Sequence, residues 1–299
     1  MEPTLPTRIV NARLAPPSRR SIVPAGYRDR VLFLLMVLGI PLIVFFDFFF
    51  VAPRYHETFD NVMWIHTTLA AFLVFNIYGN LFKLLRIGTA VRDVKTPSVL
   101  LPGWRYCAVC EVNAPPRSHH CSVCKECILK HDHHCMFTGR CIGFYNQRYF
   151  VVALLYVTIG LLYSLSYKFP YLFEMLGGFN VVAIIQMMTP HFGLLLGLYD
   201  AWLFLCTIVN LVELVVLCLC TYLLTVELTC VARNQTTYEK SHGIKTYSMG
   251  LRRNLRESLG AFWFLVWLSP WIKSPVSGDG LHFDGSVVCV KAEDGEKQE

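Results

Sequence analysis

HHCSVCKECILKHDHHCMFTGRC, residues 119–141, holds five cysteines and five histidines in 23 positions. Cys107 and Cys110 precede it, so seven of the chain's twelve cysteines fall within residues 107–141, while Cys206, Cys218, Cys220, Cys230 and Cys289 are scattered. The spacing runs Cys107-x2-Cys110, nine residues to His120, Cys121-x2-Cys124-x2-Cys127, His134 and Cys141. Repeated C-x2-C pairs with a later His and Cys suit tetrahedral zinc, because a two-residue gap lets both sulfurs turn toward one ion ~2.3 Å away. Two closed sites need eight donors, and six cysteines with two histidines supply them. One cysteine is left over.

Cys135 is the candidate for that role. It follows Asp132-His133-His134, and in an extended segment alternate side chains share a face, so His133 and Cys135 point one way and His134 the other. An imidazole beside a thiol takes its proton or lowers its pKa, and a carboxylate beside the imidazole fixes the tautomer and steadies the cation. Asp132, His133 and Cys135 thus have the parts of a nucleophilic triad. On spacing alone the alternative stands that Cys135 ligates metal and His133 only packs or faces solvent.

Outward from this stretch the sequence is strongly apolar. With 54% hydrophobic and 16% charged residues and a mean hydropathy of +0.44, the composition belongs to a membrane protein. Residues 31–52, 61–82, 149–167 and 202–228 are each long and apolar enough to span, whereas 179–198 is broken by Pro190 and glycines. Basic residues are distributed unevenly. Residues 1–30 carry six arginines, 83–148 ten Lys/Arg and 233–299 nine, against Arg54 alone in 53–60 and Lys168 alone in 168–201. This asymmetry predicts that the N-terminus, the cysteine-rich segment and the C-terminal tail share the cytosolic side, which requires an even number of spans.

The expectation is an all-α polytopic membrane protein with four transmembrane helices and a small cytosolic zinc-bound cysteine-rich domain between spans two and three. In detail it comprises a flexible basic cytosolic tail at 1–30, two helices in 31–82 and the cysteine-rich domain at 83–148, with its core at 104–150. The remaining helices follow in 149–228, with a lumenal or re-entrant segment at 168–201, and a cytosolic tail fills 229–299. The first apolar run begins at residue 31 and is long enough to act as an anchor, not a cleaved leader. The net charge of +6 is accounted for by membrane orientation, so no nucleic-acid partner is expected.

The cysteine-rich stretch resembles the DHHC family of protein S-acyltransferases, the membrane palmitoyltransferases. Cys107 and Cys110, Pro115-Pro116-Arg117-Ser118-His119-His120-Cys121, Cys124, Cys127, Asp132-His133-His134-Cys135, Cys141, Asn146 and Phe150 all match the family pattern. The resemblance covers about residues 30–265. It implies one zinc on Cys107, Cys110, His120 and Cys127, and a second on Cys121, Cys124, His134 and Cys141, sparing Cys135. It also implies that Thr236-Thr237-Tyr238-Glu239 packs against the cysteine-rich domain, with Thr237 hydrogen-bonded to Asp132, and that Asn254 is a structural residue. "AFWFLVWLSPW", 261–271, is too short to span and is expected at the interface.

The implied function is S-acyl transfer, with fatty acyl-CoA as co-substrate, two structural Zn2+, membrane lipid around the helices and membrane-associated proteins with cytosolic cysteines as acceptors. The implied location is the cytosolic face of the Golgi or endoplasmic reticulum. Two departures from the family pattern stand out. Met136-Phe137 replaces the usual Pro-Trp, and Gly139-Arg140 replaces Asn before the final cysteine. They motivate an alternative, a catalytically weak DHHC-like zinc-binding membrane adaptor. A RING-type ubiquitin ligase is disfavoured because its central C-x-H pair is missing. In the last span Asn210 and Glu213 share a face and either line a cavity or join helices.

Overall fold

A backbone that enters hydrocarbon must satisfy its own N–H and C=O groups, and a long apolar run does so as a helix. The structure, a computed structural model, describes residues 20–56 and 60–283. Helix α1 (Tyr27–Phe46) runs on through wider and tighter turns to Arg54, making a first apolar helix of 28 residues. Helix α2 (Asn61–Arg86) starts where the Asp60 carboxylate accepts the Met63 N–H at 2.6 Å.

Three two-stranded hairpins follow: β1 (Arg105–Cys107) with β2 (Val112–Ala114), β3 (His119–Cys121) with β4 (Glu126–Ile128), and β5 (His133–Cys135) with β6 (Arg140–Ile142). Helix α3 (Gln147–Met175) returns through the bundle. The short helices α4 (Val181–Met188) and α5 (Pro190–Leu195) are too short to cross, and Met187 packs at the bundle end with Phe46, Val51, Leu172 and Leu203. Helix α6 (Ala201–Arg233) is the fourth long apolar helix. It stops at Asn234, whose left-handed φ of 48° frees the chain to turn. Helices α7 (Thr237–Ser241) and α8 (Leu251–Leu259) are the last helices among the described residues.

The architecture is the one expected: four apolar helices long enough to cross a membrane, with the cysteine-rich hairpins between the second and third. The hairpins, the start of α1 and the end of α6 lie together at one end of the bundle, since His134 meets Asp29 and His133 meets Glu227. The described part of the expected basic tail, from Arg20 to Arg30, is packed at that end and already helical from Tyr27. After α8, residues 261–271 form turns that lie against α2 and α3. Trp271 stacks on Phe75 with ring centroids 5.1 Å apart, and a Cβ at Gly79 would come within 2.5 Å of Pro270.

At the opposite end the helices are tied by charge. Lys168 of α3 is buried and lies 2.8 Å from the Asp47 carboxylate after α1, while it also pairs with Glu213 of α6. Glu213 accepts a further hydrogen bond from Ser164 at 2.9 Å. Of the two residues singled out in the last span, Glu213 thus joins three helices. Removing the cation alone would strand the Glu213 carboxylate away from water and leave the half-buried Asp47 without its partner. Lys168→Met is expected to destabilise the detergent-solubilised protein by about 3–5 kcal/mol, and Lys168→Met with Glu213→Gln to recover a large part of it. Thermal unfolding of the three proteins checks this.

Candidate active site and metal centres

The three hairpins are one motif repeated every fourteen residues. Arg105, His119 and His133 open the first strands, and Cys107, Cys121 and Cys135 close them, each opposite its partner strand in the same register. Each knuckle turns through a residue at positive φ in the same place, Glu111 at 53°, Lys125 at 55° and Gly139 at 58°. The tight turn brings the backbone N–H of the fourth knuckle residue back over the first. Cys124 N–H reaches Cys121 Sγ at 3.4 Å, and Thr138 N–H reaches the Cys135 carbonyl at 3.2 Å.

Each cluster takes two sulfurs from one knuckle and an imidazole and a sulfur from the next hairpin. Cys107 and Cys110 converge with His120 and Cys127, and Cys121 and Cys124 with His134 and Cys141, the ligand atoms in each group lying within 4.8 Å of one another. His120 presents Nδ1 to Cys110 Sγ at 3.2 Å and to Cys107 Sγ at 3.9 Å. His134 presents Nδ1 to Cys124, Cys141 and Cys121 at 3.3, 3.6 and 3.8 Å. Three thiols and one imidazole fit a closed tetrahedral Zn2+ site. The third knuckle has no hairpin after it to complete a cluster. Thr138 occupies the place of Cys110 and Cys124, and Cys135 belongs to neither group.

Cys135 instead faces the helices. It is buried with Phe33 of α1, Leu81 and Leu85 of α2, Phe150 of α3 and Leu224 of α6. Its neighbour His133 packs edge-on against Phe150 with ring centroids 5.1 Å apart. The His133 Nδ1 lies 2.6 Å from Asp132 Oδ2 and 3.6 Å from Glu227 Oε1. Asp132 is held in turn by Thr237, whose backbone N–H donates to Oδ1 at 2.6 Å and whose hydroxyl donates to Oδ2 at 3.0 Å.

Thr236 begins α7 as the cap residue of a reciprocal box, accepting the Glu239 N–H at 3.1 Å while its own N–H donates to Glu239 Oε2 at 2.9 Å. That carboxylate also receives both prongs of buried Arg117, at 2.7 and 2.8 Å. Asn254 of α8 donates to Ala232 O at 2.7 Å and accepts the Met249 N–H at 2.9 Å, fastening the same corner.

These contacts set the electrostatics. Burial works against a charged His133, but hydrogen bonds to Asp132 and Cys135 and the charges of Asp132 and Glu227 outweigh it, raising the ring to about 10. Burial likewise pushes the Cys135 thiol up, and hydrogen bonding to His133 and Thr138 more than offsets this, leaving it below its ordinary value. The Asp132 carboxyl is held low against its own burial by His133 and the Thr237 N–H. The arrangement can carry a thiolate beside an imidazolium at neutral pH.

All eight candidate metal ligands, the candidate triad and Thr237 are therefore assembled at one end of the bundle. Asn210, by contrast, is buried in α6 away from this site. Two contributors escaped the sequence reading. Arg117 enters the sequence reading only as part of the pattern, although its buried pairing with Glu239 joins α7 to the hairpins alongside the Thr237–Asp132 contact. Glu227 of α6, the other, carries no motif of its own. Its signal was an ionisable residue inside an apolar run, ten positions before Thr237.

Residues 102–244 match the family model described as DHHC palmitoyltransferase. Among curated proteins, the chain is 35% identical over 235 residues to "Probable palmitoyltransferase ZDHHC24" of Danio rerio, covering 77% of this chain and 80% of that protein. It is 38% identical over 232 residues to the protein of the same name from Homo sapiens, covering 73% and 78%. A "Putative ZDHHC-type palmitoyltransferase 4" of Dictyostelium discoideum is 54% identical over 70 residues, 23% of this chain and 20% of that one.

Because the thiolate is the species that alkylates, a lowered thiol pKa moves the rise in rate to lower pH. Iodoacetamide labelling of Cys135, followed on its own peptide by mass spectrometry, is expected to rise with a midpoint below the ~8.5 of an ordinary cysteine. Asp132→Asn weakens the imidazolium and should move that midpoint up by on the order of one pH unit.

Proposed function

This chain belongs to the DHHC palmitoyltransferase family, and we propose that it is a protein S-acyltransferase in which Cys135 carries a fatty acyl group, palmitoyl by preference, from acyl-CoA to cysteines of membrane-associated proteins. The observation that carries this reading is the position of Cys135. It lies outside both four-ligand clusters, next to His133, and above the apolar interior of the helices.

In the first step His133 holds the proton of Cys135, and the thiolate sulfur bonds to the acyl carbonyl carbon. The carbon–sulfur bond to CoA breaks, and the CoA sulfur leaves with the proton that His133 held. In the second step the now neutral His133 takes the proton of an acceptor protein's thiol, whose sulfur bonds to the same carbon, and the Cys135 sulfur leaves as a thiolate beside the recovered imidazolium. Asp132 orients the ring and stabilises its charge. Thr237 holds Asp132 in place for both steps. Zn2+ on the two clusters would supply structural cross-links, with Cys107, Cys110, His120 and Cys127 on one ion and Cys121, Cys124, His134 and Cys141 on the other.

The acyl chain descends between α1, α2 and α3. Ile43 and Leu161, which pack with the cluster around Cys135, also line an apolar cavity that continues past Ile77 and Gly160. Each buried methylene contributes ~0.8 kcal/mol, so a sixteen-carbon chain has ample binding energy and the cavity's depth can select length. The excess of Lys and Arg in 1–30, 83–148 and 233–299 supports a cytosolic face for the site. Golgi or endoplasmic reticulum membrane is the proposed location.

Two tests address this. Purified protein incubated with labelled palmitoyl-CoA should acquire a hydroxylamine-sensitive label that Cys135→Ser lacks. Equal labelling of both proteins removes Cys135 as the acceptor, and no labelling of either favours the adaptor reading. A side chain at Gly160 meets no atom within 4 Å of its Cβ, so Gly160→Phe would fill the cavity without disturbing Cys135. It is expected to lower labelling from sixteen- and eighteen-carbon donors at least about tenfold, the cost of excluding two or more methylenes, while twelve-carbon donors still react.

A further inference from the structure

Residues 20–29, ahead of the first apolar run, lie across the hairpin that carries Cys135. Arg20 anchors one end, donating to Glu126 at 2.8 Å and Asp93 at 2.9 Å. Arg140 reaches the carbonyls of Ser21 and Val23, the latter at 3.4 Å. Pro24 is buried against Gly139 so closely that a Cβ there would stand 2.4 Å from the proline. Gly139 and Arg140 are two of the positions at which this chain departs from the usual family pattern, and both serve this contact. The strap ends at Asp29 in the first turn of α1, whose Oδ2 lies 3.0 Å from His134 Nε2.

His134 turns its other nitrogen, Nδ1, to the three sulfurs of the second cluster. A metal-bound imidazole commonly donates its free N–H to a carboxylate, which fixes the tautomer and ring orientation and raises ligand basicity. We propose that Asp29 is the outer carboxylate of the second metal centre, so that the head of the first membrane helix is a positioning element for the ion that holds the Cys135 hairpin. The contact is nearly dry, with the side chains 13% and 16% exposed. His134 directly precedes Cys135, so a shift at the head of α1 reaches the hairpin of the reacting sulfur through one residue. The inference rests on the metal reading of the second cluster and not on acyl transfer. A protein that holds two ions but forms no acyl-Cys135 would end the proposed reaction and leave this assignment intact.

The test follows metal release and not turnover. Full-length protein in detergent is challenged with a chromogenic chelator, and the ions leaving per chain are counted over time for the unaltered protein, Asp29→Ala, Asp29→Asn, Asp29→Glu and Arg140→Ala. Asp29→Ala is expected to speed the loss of the ion of the second centre about 10- to 100-fold, the usual effect of removing such a partner, with the ion of the first centre unchanged. Asp29→Glu should restore much of the retention, and Asp29→Asn, which keeps the size and serves if the alanine variant fails to fold, should fall between. Arg140→Ala loosens the strap without touching the carboxylate and should leave release near normal. Unchanged retention in Asp29→Ala and Asp29→Asn, or equal acceleration in Asp29→Ala and Arg140→Ala, overturns the assignment.

Discussion

Two sulfurs from one knuckle make half of a four-ligand metal site, and here the other two ligands come from the hairpin that follows, an arrangement that organises the cysteine-rich region. Three successive hairpins satisfy it twice. The first lends Cys107 and Cys110 to a cluster completed by the second, and the second lends Cys121 and Cys124 to a cluster completed by the third. The third has no successor. Its leading cysteine, Cys135, keeps the knuckle geometry that elsewhere serves a metal-bound thiolate but faces the helices instead. Cys135 thus stands at a metal-ligand position of the repeat left outside both clusters, with His133 on the same strand.

The helices supply what the hairpins lack. From α7 comes Thr237, which grips both oxygens of Asp132, and from α6 comes Glu227, close to the same imidazole. The Glu239 carboxylate that completes the capping box is also met bidentately by buried Arg117, with Tyr247 4.2 Å from the guanidinium. A bidentate, buried guanidinium of this kind has no lysine equivalent. From the other side α1 contributes Phe33 to the apolar surround of Cys135 and Asp29 to His134. The site is therefore assembled from all four long helices, while at the opposite end of the bundle Lys168 ties Asp47 to Glu213.

Much of this was legible in the residues. Apolar runs of spanning length report helices directly, because a lipid-facing backbone has few alternatives. The cysteine spacing reports metal because a C-x2-C turn has so few other uses. Strand alternation sufficed to separate His133 and Cys135 from His134. The fourteen-residue repeat was also available, since Cys107, Cys121 and Cys135 stand at equal intervals and Thr138 sits where a cysteine would complete the third pair. What could not be read were contacts across long separations. Nothing about Asp29 announces a partner 105 positions away, and Glu227 resembles any acid in an apolar helix until His133 is seen beside it. The segment 179–198 was undecided by hydropathy for a physical reason. Its breaks at Pro190 and Gly197 leave two helices of eight and six residues, each apolar but neither long enough to cross.

The claim that the remaining features depend on is that the ions and the reacting sulfur are separate. Metal content per chain, measured by elemental analysis on the unaltered protein and on Cys135→Ser, with a Cys121→Ser comparison, tests it most directly. The account predicts two ions in the first two proteins and a reduced content in the third. Loss of an ion on replacing Cys135 alone would make it a ligand and contradict the account.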